Sequence, residues 1–360
     1  MESLTWAQAL AWRMRRQFLD PLGDVPAVEV ARRLAGVQAQ VGSAAELAIA
    51  LRQSGPVPRE VEEALWTERT LVKTWAMRGT LHLLPADEAG AYLALCATAR
   101  NWEKPSWQRA FGATPADLEA IAAAATDVLG TGACLTREEL TGEIVERTGS
   151  AHLAELLGSG WGTLLKPLAW WGVLCYGPCR GPKVTFAAPD RRLPGWRGVP
   201  PVEQAARTVI RAFLGAHGPA TPQMFDAWLM RGLSDKKELR GWFASVEDEL
   251  TEVDVEGAPM YVLAEHVGEL LETEPTRLVR LLGGFDQYIL GAGTGASYVL
   301  PAEHRAEVSR KAGWISPVVL HGGRVAGVWA VRDGEIAVTT WEDVPAERLA
   351  AETLRVTALT

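Results

Sequence analysis

Little in this chain points to a membrane, a secretory route or a metal. No apolar run approaches the roughly 18 residues that a membrane span needs, and the N-terminal stretch lacks the apolar core of a signal peptide. A cytoplasmic location and no membrane partner are therefore expected. Cysteine is scarce, at four in 360 residues. Cys175 and Cys179 form the only close pair, without a histidine at ligand spacing. That excludes a zinc framework and suits a reducing compartment. The phosphate-binding loop, the dinucleotide fingerprint and the nucleophile elbow are all missing. No metal and no cofactor are expected.

Charge of one sign is also in short supply where a nucleic-acid binder would be expected to have it. The formal net charge is −8, which by itself argues against a polyanionic partner. Its distribution weakens the objection. Residues 201–360 carry 15 Lys+Arg against 23 Asp+Glu, so residues 1–200 balance at 21 of each. Arginines cluster at Arg13, Arg15 and Arg16, at Arg32 and Arg33, and around Arg191 and Arg192. What the chain has in plenty is tryptophan, 15 residues, most of which belong in cores and contacts between units.

The length allows two or three domains. Residues 4–18 place apolar side chains on one helical stripe. Short helices follow over 27–34, 44–51 and 59–66, then a hairpin in which 71–77 and 81–84 flank Arg78-Gly79-Thr80. A helix from Pro85 to about Arg100 completes the first unit. A second unit reads as a Thr114-capped helix to Leu129, a Thr136-capped helix, a long helix over 151–171 and a hairpin around Gly177–Pro182. Lys166-Pro167 is expected to kink that long helix. Residues 189–201 read as a linker. The third unit repeats the order: a helix over 202–214, a Thr221-capped helix with Pro222 in its first turn, a helix over 236–250 and a hairpin over 251–263. Helix, capped helix, longer helix and hairpin is the winged-helix order. From Arg277 the texture turns to β, with strands over 278–282, 288–290, 314–320, 324–332 and 335–341. Gly322-Gly323 and Asp333-Gly334 supply tight turns, and a final helix is expected over 343–360. The expectation is an α+β chain with boundaries at 1–110, 111–200, 201–270 and 271–360.

The stretch Gln38-Ala39-Gln40 is the candidate centre. Residues two apart share a face only on an extended segment, so a joint site requires non-helical backbone with Val37, Ala39 and Val41 packed inward and the glutamines facing out. Uncharged amides can hold a water or read a base edge, although the spacing alone equally describes two surface glutamines. Arg78, Thr80, His82, Arg191 and Arg192 are the candidate DNA contacts. His82 is open to a core role, and Asp286 to a turn or a site role.

Gln38-Ala39-Gln40, the block from Leu71 to Leu83, the block Arg280-Leu-Leu-Gly-Gly-Phe-Asp-Gln-Tyr-Ile-Leu-Gly291 and the block from Gly313 to Trp329 together resemble the AlkZ-type winged-helix DNA glycosylases, in order and over most of the chain. The resemblance implies three tandem winged-helix domains joined by a C-terminal β-barrel into a C shape, with the glutamine pair on the concave surface. It also implies a monofunctional enzyme that removes N-alkylated purines, N7-alkylguanine among them, from double-stranded DNA as a monomer. Gln38 and Gln40 match the Gln-Gln form, which is similar to the antibiotic self-resistance branch acting on bulky adducts or interstrand crosslinks. Gly283-Gly284 and the Gly/Ala-rich Ala292–Ser297 depart from the usual pattern. The competing class is a non-enzymatic winged-helix DNA binder or transcriptional regulator, since fold alone does not specify function.

Overall fold

Side-chain caps start the helices where threonine and aspartate stand. The computed structural model describes residues 2–159 and 162–359. Thr5 opens the helix Trp6–Arg16 with a capping box, in which its hydroxyl accepts from the Gln8 N–H and the Gln8 side chain accepts from the Thr5 N–H. Thr114 with Asp117, and Thr136 with Glu139, repeat the device before Pro115–Leu129 and Arg137–Thr148. Thr221 caps Pro222–Met230, with Pro222 in its first turn.

Strand β1 is only Ser3–Leu4. Strands β2 (Val37–Gln38), β3 (Leu71–Trp75) and β4 (Leu81–Pro85) form a sheet in the order β2-β4-β3. Strands β5 (Leu135–Thr136), β6 (Cys175–Arg180) and β7 (Lys183–Ala187) form a second, in the order β5-β7-β6. The hairpin β8 (Leu250–Val255) and β9 (Ala258–Leu263) is completed by β1, which lies parallel to β8. Each of these sheets is thus a hairpin with one short extra strand. The last sheet runs β10 (Val279–Leu282), β11 (Val318–His321), β12 (Arg324–Arg332) and β13 (Glu335–Thr340), antiparallel throughout.

Four expectations change. The last sheet is open: among the described residues β10 and β13 are its two edges, and no closed barrel forms. The buried Glu352 carboxylate, on helix Ala346–Thr357, accepts from the Leu281 N–H of β10, so a side chain covers an edge that a barrel would have paired. Residues 288–290 are helical, within Gln287–Ala292, because the Asp286 side chain accepts from the Tyr288 N–H and starts a helix there. The long helix over 151–171 is two helices, Ala151–Ser159 and Leu165–Trp170. Pro167 falls in the first turn of the second, where a missing N–H costs nothing; residues 160–161 lie outside the described residues. The segment 189–201 includes the short helix Pro189–Arg192. A helix over Pro105–Phe111 has no counterpart in the sequence reading.

One apolar core runs continuously through residues of the first, second and third units, from Val72 and Tyr92 through Leu118 and Leu168 to Phe213 and Trp228. The C-terminal region is joined differently. Arg52, fully buried, donates both terminal nitrogens to the equally buried Asp286 at 2.8 and 2.7 Å. Arg52 also donates to the Ala48 carbonyl at 2.8 Å and to Gln17 Oε1 at 3.3 Å. Gln17 in turn donates to the Ala216 carbonyl at 3.0 Å, and Arg13 to the His217 carbonyl. Gly291 lets helix Gln287–Ala292 close on this group, since a Cβ there would stand 2.1 Å from the His217 ring.

Removing one member of a buried ion pair leaves a charge without compensation, which typically costs about 3–5 kcal/mol. Asp286→Asn and Arg52→Met should each lower the urea midpoint by that equivalent, and the double variant Arg52→Met/Asp286→Leu should lose less than either. Equilibrium unfolding monitored by tryptophan fluorescence tests this, and additive losses in the double variant would contradict it.

Candidate active site

Gly36 delivers the chain into the glutamine segment. Its φ is +96°, and a Cβ on it would stand 2.6 Å from the Leu84 side chain, so only glycine makes this approach. Val37 and Gln38 then pair antiparallel with β4, Val37 opposite Leu83 and Gln38 opposite His82. The Ala39 N–H extends the pairing by donating to the Leu81 carbonyl at 2.7 Å. Gln38 and Gln40 therefore sit two apart on non-helical backbone, with Val37 and Ala39 buried.

The outward orientation expected for both amides holds for Gln40 alone. Gln40 is exposed, and its Oε1 accepts from the Leu81 N–H at 3.4 Å, a long bond. Gln38 is 8% exposed, and no protein group bonds its Oε1. Val41 is only partly buried. The reason is the register. Gln38 lies opposite His82, and His82 opposite Thr74 of β3, so three polar side chains share one face of the sheet. His82 Nε2 and Thr74 Oγ1 likewise lack a protein partner. A buried carbonyl oxygen in this condition is a ready acceptor for a water or a substrate donor.

His82 is fully buried, which leaves it no surface for a phosphate. Its Nδ1 lies 3.0 Å from the Thr80 carbonyl, so that nitrogen carries the proton. Burial, helped by the nearby Arg78 charge, holds its pKa down to about 3. Thr80 turns its hydroxyl to the Met77 carbonyl at 3.2 Å. Arg78 occupies a left-handed conformation at the hairpin turn, and its Nη1 donates to the Trp228 carbonyl at 2.7 Å. Its guanidinium thus braces the first unit on the third instead of reaching outward as expected. Burial, and secondarily Arg231, lowers its pKa to about 10. Arg191 is exposed beside Asp190 at 3.6 Å, while Arg192 lies 5.4 Å over the Trp66 ring. Gln38, Gln40, Arg78, Thr80 and His82 therefore gather on one sheet and its turn, and the Arg191–Arg192 pair belongs to a different helix.

Asp286 is a structural carboxylate, paired with Arg52 and capping a helix. Sequence spacing gave no sign of the residues around it. Arg13, Gln17 and His217 meet across some 200 positions of chain, a separation no local pattern reports. His217 is buried and, like His82, has its pKa lowered to about 3, chiefly by burial and next by Arg13. Among the described residues no group of acids, histidines and cysteines could hold a metal ion.

The two histidines make stability depend on acid. An unfolded imidazole takes its proton near pH 6.5, whereas these stay neutral in the fold until about pH 3. Protons therefore favour the unfolded chain as pH falls from about 6.5 toward 3. The melting temperature should be lower at pH 5 than at pH 7, and the double variant His82→Gln/His217→Gln should lose less over that interval. An identical acid loss in the variant would clear the histidines of this role.

The chain has extensive similarity to known proteins. The family described as DNA glycosylase AlkZ-like matches residues 31–358. An interstrand DNA cross-link repair glycosylase of Streptomyces sahachiroi is 51% identical over 346 residues, covering 96% of this chain and 92% of that protein. The solved structure of the Streptomyces sahachiroi DNA glycosylase AlkZ superposes with a TM-score of 0.95 at 49% identity, over 99% of this chain and 96% of the other. The chain therefore belongs to the AlkZ-like DNA glycosylases.

Proposed function

We propose that this enzyme hydrolyses the N-glycosidic bond of N-alkylated purine nucleotides, N7-alkylguanine in particular, in double-stranded DNA. Bulky antibiotic adducts or interstrand crosslinks are the proposed lesions, and the cross-link repair named for the Streptomyces sahachiroi relative supports that choice. The observation that carries the reading is the pair of uncharged amides, Gln38 and Gln40, on one extended segment with carbonyl oxygens free or weakly engaged.

Alkylation at N7 makes guanine cationic and so a good leaving group without a strong general acid. The C1′–N9 bond breaks with its electron pair passing to the purine, and the sugar becomes oxocarbenium-like. Water oxygen then bonds to C1′ and its proton passes to solvent. What the protein must do is position that water and tolerate positive charge. Amide oxygens from Gln38 and Gln40 serve both ends, and their neutrality confines catalysis to labile adducts. His82, neutral at working pH, holds the strand beside Gln38 without adding a competing positive charge.

The larger frame of this reading is three winged-helix units with boundaries near residues 110, 200 and 270. The repeated capped helix followed by a hairpin with one extra strand supports it. DNA would lie along a concave surface formed by a monomer. The exposed Arg191 is the proposed phosphate contact among the arginines singled out, with Thr80 near the amide pair.

Gln38→Ala and Gln40→Ala should each slow base release by about 10²–10³, by analogy with removal of a positioned oxyanion-hole group. Gln40→Asp should be milder than Gln40→Ala, because an acceptor is retained. DNA affinity and melting temperature should change little. Single-turnover excision of N7-alkylguanine from duplex DNA, with enzyme in excess, is the measurement. Wild-type rates in both alanine variants would remove the amides from the mechanism.

A further inference from the structure

The turn that follows β3 forms one wall of a second feature, a cavity of about 460 Å³ lined by residues of the first, second and third units. That volume is within the range of small-ligand sites, roughly 300–1,000 Å³. Its lining is unusual for an acidic protein. Arg78, Lys104, Lys166 and Arg231 all line it, and among its described lining residues no aspartate or glutamate answers them. Trp102, Trp107 and Trp170 supply aromatic surface. Trp102 and Trp170 are buried with ring centroids 6.1 Å apart, whereas Trp107 is partly open. Phe111 and Leu233, 40% and 67% exposed, add apolar surface to the lining.

Two lining residues carry a polar atom that the protein leaves unpaired behind the cavity wall. Arg78 Nη2 and Trp170 Nε1 are buried without a protein partner. The Lys166 ammonium lies against Gly79 of the turn, and burial together with Arg231 lowers its pKa, as befits a cation whose neighbours are also cations. Lys104 is exposed, and its ammonium donates to Asn101 Oδ1 at 2.8 Å. The arrangement asks for an anion joined to a planar ring. It does not suit an alkylated, cationic purine, which four positive charges would repel.

We propose that this cavity receives an undamaged nucleotide of the DNA substrate after it has left the stack. Its phosphate lies among Lys104, Lys166 and Arg231, and its base lies against Trp107 and Trp102. The cavity and the amide pair meet at opposite ends of one turn: Gly79 lines the cavity, and the Leu81 N–H two residues on donates to Gln40. Holding a displaced neighbour there would keep the duplex open while the amides face the lesion. The proposal rests on the glycosylase reading for its role, and on charge and aromatic chemistry for its occupant.

The test uses fluorescein-labelled heptathymidylate, whose bases are single-stranded and undamaged, with anisotropy read across a salt series. Lys104→Ala/Arg231→Ala should weaken binding at least tenfold and reduce the salt slope by about 1.4, at roughly 0.7 per lost phosphate contact. Trp107→Ala should weaken it about 5- to 150-fold, the range for loss of base–aromatic stacking. Lys104→Arg/Arg231→Lys should restore affinity and slope, and melting curves separate binding loss from unfolding. Excision from alkylated duplex, measured in parallel, tests the glycosylase reading independently through the wild-type enzyme. Unchanged heptathymidylate affinity and slope in folded alanine variants would overturn the cavity proposal while leaving that reading intact. Failure of the wild type to release base would overturn the reading, and the oligonucleotide data would still decide the occupant. Slower excision with unaltered heptathymidylate binding would trace to loss of the Arg231 bond to the Arg78 carbonyl, which ties the turn to the third unit, and would also overturn the proposal.

Discussion

The rest of the molecule depends on a charge buried with its partner. Arg52 and Asp286 are 234 positions apart and both are removed from solvent, so neither is tolerable without the other. Their pairing fixes where the C-terminal sheet meets the first unit. Through Gln17 it reaches the Ala216–His217 backbone, and through the adjacent helix it fixes Tyr288, whose hydroxyl donates to the Gly323 carbonyl at 2.7 Å. An apolar contact of equal area would tolerate sliding. A bidentate guanidinium–carboxylate pair does not, because its geometry is planar and two-pronged. The junction is thereby held in register, and with it the relation between the glutamine strand and the third unit.

That rigidity matters to the role we propose for the neutral amides of Gln38 and Gln40. An amide cannot draw in its water by charge, so its contribution depends on being already in place. The constraints near Gln38 are compatible with that role: the glycine that admits the strand, the register with His82, and a hairpin turn tied to the third unit by the Arg78 and Arg231 hydrogen bonds. The neutral imidazole belongs to the same logic. In the proposed reaction a protonated histidine would oppose the developing cation, and burial holds His82 neutral.

Much of this was legible from residue patterns. Thr114, Thr136 and Thr221 mark helix starts that the structure confirms with hydrogen bonds, because capping is settled within four residues of chain. The hairpins were legible for the same reason, their turns being set by glycine and its neighbours. The extended backbone at Gln38-Ala39-Gln40 followed from chemistry, as a shared site demanded it. What escaped was non-local. Spacing does not say that Gln38 faces inward, since that depends on its partner strand more than 40 positions away. Nor does it say that Arg78 is taken up by Trp228. Asp286 as a helix cap was local yet missed, because the apolar Tyr288–Leu290 reads equally well as strand; the same error fed the expectation of a barrel.

The two-residue strand at Ser3–Leu4 has a consequence in time. Leu4 and Trp12 bury themselves among Val253, Val255, Met260 and Val262, residues made some 250 positions later. At a synthesis rate of about 5–20 residues per second, the opening helix waits roughly 10–50 s for the surface that covers it. Throughout that interval Leu4 and Trp12 lack their native cover. The helix Trp6–Arg16 is therefore made long before the strands that complete its packing.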